Sequence, residues 1–360
     1  MLRRIFEDFD WFLFLPSLFL CLLSILIIQS VAPNLVLIHV LTIFTGLLLY
    51  FIFSLVDYRA FENLGKPFYI FSVVFLIITF VIGLESRGST RWIEIGSFRI
   101  QASELIKPLL IIFFAGLFIN KPIGIKNNFK ILFLFLIPTF LIFKQPDLGN
   151  VIIYSCIFFG ILYISGIKIK SVIVGILLFL ISTPIIWHFL KDYQKLRVVT
   201  FLNPMSDPLG AGYNAFQASI AVGSGGIWGR GLGWGTQSHL KFLPEFHTDF
   251  IFASLSEELG FFGAMIAIVL YLVILVRLIQ ISKSTPDRFS TLVILGIFIM
   301  ILSQVFINIG MNIGLVPITG ITLPLVSYGN NSILATLVSL GLAASISRTS
   351  FLGRIRRPED

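Results

Sequence analysis

Charge is what this sequence has least of. Only 12% of its 360 residues are Asp, Glu, Lys or Arg, against roughly 25% in a soluble domain, which excludes an ordinary water-soluble globule. Cysteine is nearly absent: Cys21 and Cys156 are the two, each inside an apolar run. That rules out a disulfide framework or a thiolate metal site, and both read as small buried hydrophobes. Of four histidines, His39 and His188 fall in or at the end of apolar runs and His239 in a long polar connection. A dinucleotide fingerprint is also missing. The run GSGGIWGRGLGWG over 223–235 follows no strand pattern and misses the G-x-G-x-x-G spacing. It reads instead as a flexible, backbone-exposing loop at a membrane surface, whose amides could cradle an anion.

What the chain has in abundance is hydrocarbon. Apolar residues make up 57%, Phe alone accounts for 38 positions, and mean hydropathy is +0.97. Apolar runs long enough to cross a bilayer lie at about 11–30, 34–56, 68–84, 104–119, 129–143, 151–167, 171–190, 249–279, 290–309 and 332–346. The expected fold class is an all-α integral membrane protein, one polytopic domain over 1–360 with about ten transmembrane helices. The opening MLRRIFEDFDWFLF has acids between its Arg pair and the apolar run, and no small-residue cleavage site, so it reads as a retained first helix. An even number of spans puts both termini on one side. With the termini inside, most basic residues, among them Arg3, Arg4, Arg59, Lys66, Lys168, Lys170, Arg277, Lys283, Arg354, Arg356 and Arg357, collect on the cytoplasmic face. The net charge of +8 is thereby assigned to loops and to an anionic lipid substrate, with no nucleic acid implied.

The remaining cations sit outside, against the rule. Arg87, Arg91 and Arg99 precede the fourth span, Lys107 lies in it, and Lys144 precedes Gln145-Pro146-Asp147. Lys191, Lys195, Arg197, Arg230 and Lys241 belong to the extracytoplasmic connection 191–248, which is too long to be a plain link. They are either a solvated face or a set of phosphate ligands. Glu104 and Lys107, three apart, share a helix face and can pair. Asp147 in KQPDLGN sits at a water–lipid boundary, where a turn role is the simpler reading.

The stretch FLPEFHTDFIFASLSEELG, 242–260, concentrates polar chemistry at the edge of an apolar run. Asp249 stands where water gives way to hydrocarbon. A carboxylate at that depth costs about 2.5–3.5 kcal/mol on insertion scales, so it either caps a helix or works. Glu245, His247 and Asp249 alternate and would converge on a metal were the segment extended. The last connection, GMNIGLVPITGITLPLVSYGNN over 310–331, carries no charge. Helix-broken backbone of that kind is tolerated where it lines a cavity or packs on protein, and Asn308, Asn312, Ser327 and Tyr328 can offer neutral hydrogen bonds to a sugar. A helix-end carboxylate, misplaced cations and a sugar-compatible loop on one side fit glycosyl transfer from a lipid diphosphate. A hydroxyl needs a general base there, and the leaving diphosphate needs cations or a metal more than an acid. The competing readings are a transporter moving the lipid across the bilayer, against which no inverted repeat is visible, and a scaffold.

FRIQASELIKP, KQPDLGN, NPMSDPLGAGYNAFQASIAVGSGG, GTQSHLKFLPEFHTDFIFASLSEELG and NIGMNIGLVPITGITLPLVSYGNNS together resemble the SEDS family, nearly from end to end. GTQSHLKFLPE and the short N-terminus resemble its elongation branch more than its division branch. The resemblance implies a ten-helix peptidoglycan glycosyltransferase of the bacterial inner membrane, multi-pass, with both termini cytoplasmic and the site outside. It would polymerise lipid II with inversion and maintain cell shape during elongation; a lipid II flippase is the alternative. Implied partners are a class B penicillin-binding transpeptidase and other elongation-complex membrane proteins. The one cofactor expected is a divalent cation, Mg or Mn, with the metal ligands left open and no organic cofactor. Carried over by motif, Asp249 is the catalytic base, and Arg91, Glu104, Lys107 and Asp147 join Lys241, Glu245, His247, Asn312, Ser327 and Tyr328 in binding substrate. The chain departs from the family pattern at Ala102, usually Pro, and at Asn330, usually Gly.

Overall fold

The computed structural model describes residues 9–86, 89–96, 98–119, 125–166, 177, 187–188, 192–203, 210–285 and 287–355. Helices α1 (Trp11–Val31), α2 (Val36–Leu55), α3 (Arg59–Glu62) and α4 (Gly65–Ile82) come first, followed by strands β1 (Leu84–Ser86), β2 (Ser89–Ile95) and β3 (Phe98–Ile100). Then come α5 (Ala102–Leu105), α6 (Lys107–Phe118), α7 (Ile125–Lys144) and α8 (Leu148–Ile164). The long connection holds α9 (Asp192–Leu202), α10 (Ala211–Ser224) and α11 (Thr236–His239), and the chain ends with α12 (Ile251–Ser284), α13 (Arg288–Asn312) and α14 (Asn330–Ile355). Every expected span coincides with helix except 171–190, which lies almost wholly outside the described residues, as does Arg87. Among the described residues, six helical stretches are long and apolar enough to cross a membrane, in α1, α2 with the turn before it, α4, α12, α13 and α14; α6 and α8 are shorter apolar helices.

The all-α expectation fails in one place. Strands β1, β2 and β3 form a three-stranded antiparallel sheet in that order, and Gly96, just after β2, has positive φ. Glu94 faces Arg99 across the second pairing, and their side chains form an ion pair at 2.6 Å. Strands of three to seven residues leave no run long enough to register beside twenty-residue apolar helices. The long connection also proves helical in three places, where its composition indicated only order.

Packing follows the membrane pattern. Phe19, Phe44, Ile70, Phe133, Ile266 and Phe306 are exposed, while Ser24, His39, Asn308, Asn312 and Ser345 are fully buried. Apolar side chains thus face outward and the polar ones bond to each other inside. Small residues let the helices approach. A Cβ on Gly341 of α14 would lie 2.5 Å from the Tyr50 carbonyl oxygen of α2, and one on Gly46 of α2 would lie 2.5 Å from Leu337. At one end of the bundle Asp10 caps α1 through the Leu13 amide, at 3.2 Å, and accepts from Arg277 of α12 and Ser347 of α14. This buried knot ties three helices at the end of α12 opposite Asp249.

Gly341→Val should lower the melting temperature in detergent, since the new methyls meet backbone; forced overpacking costs about 1–3 kcal/mol. A scanning-calorimetry trace matching wild type would show that α2 and α14 are not held this closely.

Candidate active site

Residues 240–250 form a compact series of turns rather than an extended strand. Lys241 and Glu245 adopt positive φ, 59° and 49°. The Glu245 carbonyl accepts from the Thr248 and Phe250 amides, and its carboxylate accepts from the Thr248 hydroxyl at 3.1 Å. That turn delivers Asp249 to the foot of α12. The helix's N-cap is Phe250, with no side-chain cap bond, so Asp249 is not spent in capping it.

The backbone around Asp249 is held by three successive carbonyls. His247 O accepts from the Tyr328 amide at 2.8 Å and Thr248 O from the Ser327 hydroxyl at 2.7 Å. Asp249 O accepts from Asn308 and Asn312 at 3.0 and 3.1 Å. The two asparagines stand one turn apart on α13 and extend the frame: Asn308 also donates to Ile321 O at 2.7 Å, and the Asn312 side-chain oxygen accepts the Ala253 amide of the first turn of α12. Asn312 and Ser327, expected to meet a sugar, therefore direct these groups at backbone. Tyr328 stands between two histidines, its ring centroid 5.6 Å from both His39 and His247. His247 has a buried Nδ1 with no hydrogen-bond partner. Burial holds its pKa below the ordinary 6.5, against the opposing pull of Glu245. Lys241 is exposed on the rim.

The other expected residues gather in a second cluster. Asp147 is the N-cap of α8, accepting from the Asn150 amide at 3.3 Å, and it is 3% exposed. Its carboxylate also accepts from Gln101, Ser103 and the Asn150 side chain, each at 2.9 Å, with Arg91 at 3.8 Å. The pairing expected of Glu104 and Lys107 is present at 2.7 Å, both residues buried, where α5 gives way to α6. The second Glu104 oxygen has no hydrogen-bond partner. Pairing and hydrogen bonding are what make such charges tolerable in a low dielectric. Ala102, in place of the family's Pro, opens α5 behind the Gln101 N-cap. Asn330 begins α14 without positive φ, so the last connection is not distorted there.

A single strip of backbone lies between the two clusters. A Cβ on Gly149, at the start of α8, would lie 3.0 Å from Thr319 O and 2.7 Å from Ile321. One on Gly320 would lie 3.4 Å from an Asp249 carboxylate oxygen and 4.0 Å from an Arg197 nitrogen. Residues 319–321 thus touch the Asp147 side with their flanks and the Asp249 side with their middle. Arg197, from the sequence one of ten outward cations that could be a solvated face or phosphate ligands, is the one the structure brings near Asp249. Gln101, Ser103, Asn150 and Tyr154, which donates to Ser103 O at 2.7 Å, were missed. The signal available for Asn150 was its position three residues after a helix-capping Asp.

The glycine-rich run, at Gly233, and the segment 236–238 that follows it turn their amides inward. Glu257 accepts from the Gln237 and Ser238 amides and the Thr236 and Ser238 hydroxyls, while Glu258 accepts from Ser30, His239 and the Gly233 amide. The anion those amides cradle belongs to the chain itself. α12 breaks at Gly260, φ 68°, where a Cβ would lie 2.2 Å from Gly229 N. The amides freed at Phe261 and Phe262 bond to Gly226 O and Ile227 O instead. Among the described residues no three His, Cys, Asp or Glu side chains are placed to hold a metal ion. The alternating Glu245, His247 and Asp249 do not converge as they would on a strand, and a preformed cage for the expected divalent cation is not built from these residues.

Fold and site define an integral membrane protein with most of its buried carboxylates at the Asp249 end of its helical bundle. The family model for FtsW/RodA/SpoVE cell cycle proteins matches residues 10–351. The chain is 39% identical over 308 residues to the peptidoglycan glycosyltransferase MrdB of Escherichia coli K12, covering 84% of this chain and 82% of that one. It is 37% identical over 322 residues to stage V sporulation protein E of Bacillus subtilis, covering 85% and 84%. A solved structure of a peptidoglycan synthase complex, described for its coordination of polymerization and crosslinking, superposes with TM-score 0.81 at 30% identity, covering 95% of this chain and 98% of that one. The rod shape determining protein RodA of Thermus thermophilus superposes with TM-score 0.73 at 26% identity and the same coverage. The chain belongs to the SEDS family.

Glu257→Ala strands the Gln237 and Ser238 amides, at about 1–3 kcal/mol for an unsatisfied buried group. Limited proteolysis should then cut within 230–243 faster than in wild type, and an unchanged rate would show that the loop is held by other contacts. His247 ties stability to acidity. Its depressed pKa means that the unfolded chain takes up the proton more readily, so stability is full above about pH 6.5 and falls as pH drops below it. His247→Gln should flatten the melting temperature between about pH 5 and pH 7.5; an undiminished slope would place the sensitivity elsewhere.

Proposed function

We propose that this chain is a peptidoglycan glycosyltransferase that polymerises lipid II on the outer face of the bacterial inner membrane during elongation, with Asp249 as general base. The observation that carries the reading is the fixing of Asp249. Its backbone is bonded by α13 and the last connection, and its side chain is not the cap of α12. In the transfer, the hydroxyl of the acceptor GlcNAc attacks the anomeric carbon of the donor MurNAc from the side opposite the diphosphate. The new C–O bond forms as the bond to the diphosphate breaks, the diphosphate keeps the electron pair, and the Asp249 carboxylate takes the hydroxyl proton. The sugar carbon inverts. Arg91 and Lys107, expected to steady the diphosphate, are engaged by Asp147 and Glu104; in this reading they shape the wall behind the strip 319–321.

The Asp10–Arg277 knot and half-buried Arg348, both at the end of the bundle remote from Asp249, support termini on the inner side. The relatives' names and the synthase-complex likeness support a class B penicillin-binding transpeptidase as partner. Any divalent cation used is not held by a protein cage among the described residues.

Asp249→Asn should cut lipid II polymerisation by purified protein about 100- to 10,000-fold, the usual value of general-base assistance, with an unchanged melting curve. Glycan chains made at wild-type speed by this variant would remove Asp249 from the chemistry. Wild-type protein that makes no chains in detergent, yet moves lipid II across vesicle membranes, would favour the transporter.

A further inference from the structure

Beside Asp249 a cavity of about 130 Å³ opens between the long connection and the last one. α9 contributes Arg197 and Phe201, α10 contributes Phe216, and the last connection contributes Val316, Pro317 and Ile318. The walls are hydrocarbon and the guanidinium is half-buried among them. Ile318 also packs on the small cluster of Leu243, Phe246 and Phe250, so the inner wall is continuous with the turn that carries Asp249. The same Arg197 reaches to 4.0 Å from the Cβ position of Gly320, and the Asp249 carboxylate to 3.4 Å from it. The cation that lines the apolar groove therefore also stands near the proposed base.

That juxtaposition selects its ligand. A hydrocarbon groove ending in a guanidinium suits a molecule whose anionic head is joined directly to an apolar chain. Arg matches phosphate oxygens in pairs and is less strongly hydrated than an ammonium. The groove is far too small for a whole polyprenyl chain, so it would take only the isoprene units next to the head, the remainder passing to the bilayer. We infer that Arg197 and this groove bind the polyprenyl diphosphate end of the donor, placing the leaving group beside Asp249. This rests on the glycosyl-transfer reading above. As the anomeric C–O bond breaks, the electron pair goes to the diphosphate oxygen, and Arg197 faces the charge that develops there. Arg197 is then a ligand of the leaving group, separate from the base.

The test measures binding and polymerisation on the same purified full-length proteins, with undecaprenyl diphosphate as the probe. Arg197→Ala should weaken diphosphate binding about 10- to 100-fold, the loss expected for a charge-assisted contact, and Arg197→Lys should weaken it less. Uncharged undecaprenol should bind wild type and Arg197→Ala alike. Ala215→Trp, which fills the groove from α10, should weaken both lipids, and Asp249→Asn should weaken neither. Phosphatidylglycerol at equal concentration should not displace the diphosphate. Diphosphate binding unchanged in both Arg197→Ala and Ala215→Trp overturns the inference, and so does equal displacement by phosphatidylglycerol. If binding depends on Arg197 while wild-type protein makes no glycan, the polymerase reading falls and the diphosphate site stands.

Discussion

Three consecutive peptide carbonyls, at His247, Thr248 and Asp249, accept hydrogen bonds from two other parts of the chain, and the Asp249 end of the molecule depends on that arrangement. A turn leading into a membrane helix leaves backbone oxygens where water is scarce, and each one unmet there costs heavily. Asn308 and Asn312 on α13, with Ser327 and the Tyr328 amide from the last connection, meet all three. Meeting them fixes where Asp249 stands. An uncharged loop rich in Pro and Gly is thereby given a purpose: its backbone and small polar side chains serve as the mould for a reactive segment.

The same economy recurs with the buried acids. Asp147 gathers Gln101, Ser103, Asn150 and Arg91; Glu257 and Glu258 gather the glycine-rich run; Asp10 gathers Arg277 and Ser347. Each carboxylate joins segments distant in sequence, because in a low dielectric a charge is stable only when several donors close around it. Asp249 differs in its setting. It lies near Arg197 and next to a groove, with its backbone carbonyl held by α13. Four acids build the frame, and the fifth stands within it.

The helix break at Gly260 links frame and loop. Amides released there turn to Gly226 and Ile227, and Glu257 and Glu258, just before the break, hold the far side of the same loop. The long connection is thus part of the bundle, which lets α9 and α10 present Arg197 and Phe216 to the groove beside Asp249.

By itself the sequence determined the class of molecule, most of the helices, the SEDS resemblance, the Glu104–Lys107 pair and Asp249 as the residue to watch. Each of these follows from local facts: run length, charge scarcity, spacing along one helix, or motif order. Which aspartate caps a helix was not decided there. Asp147 looked like a turn residue and caps α8, whereas Asp249, left open between cap and base by its spacing, is not the N-cap of α12. Nor could spacing show that Asn312 and Ser327 bond to backbone, that Gly233 and the amides just after the glycine-rich run bind the chain's own glutamates, or that Arg197 and Asp249 both approach Gly320. Those contacts join residues from about 20 to more than 100 positions apart, and only closure of the bundle, by excluding water from their polar groups, decides who meets whom.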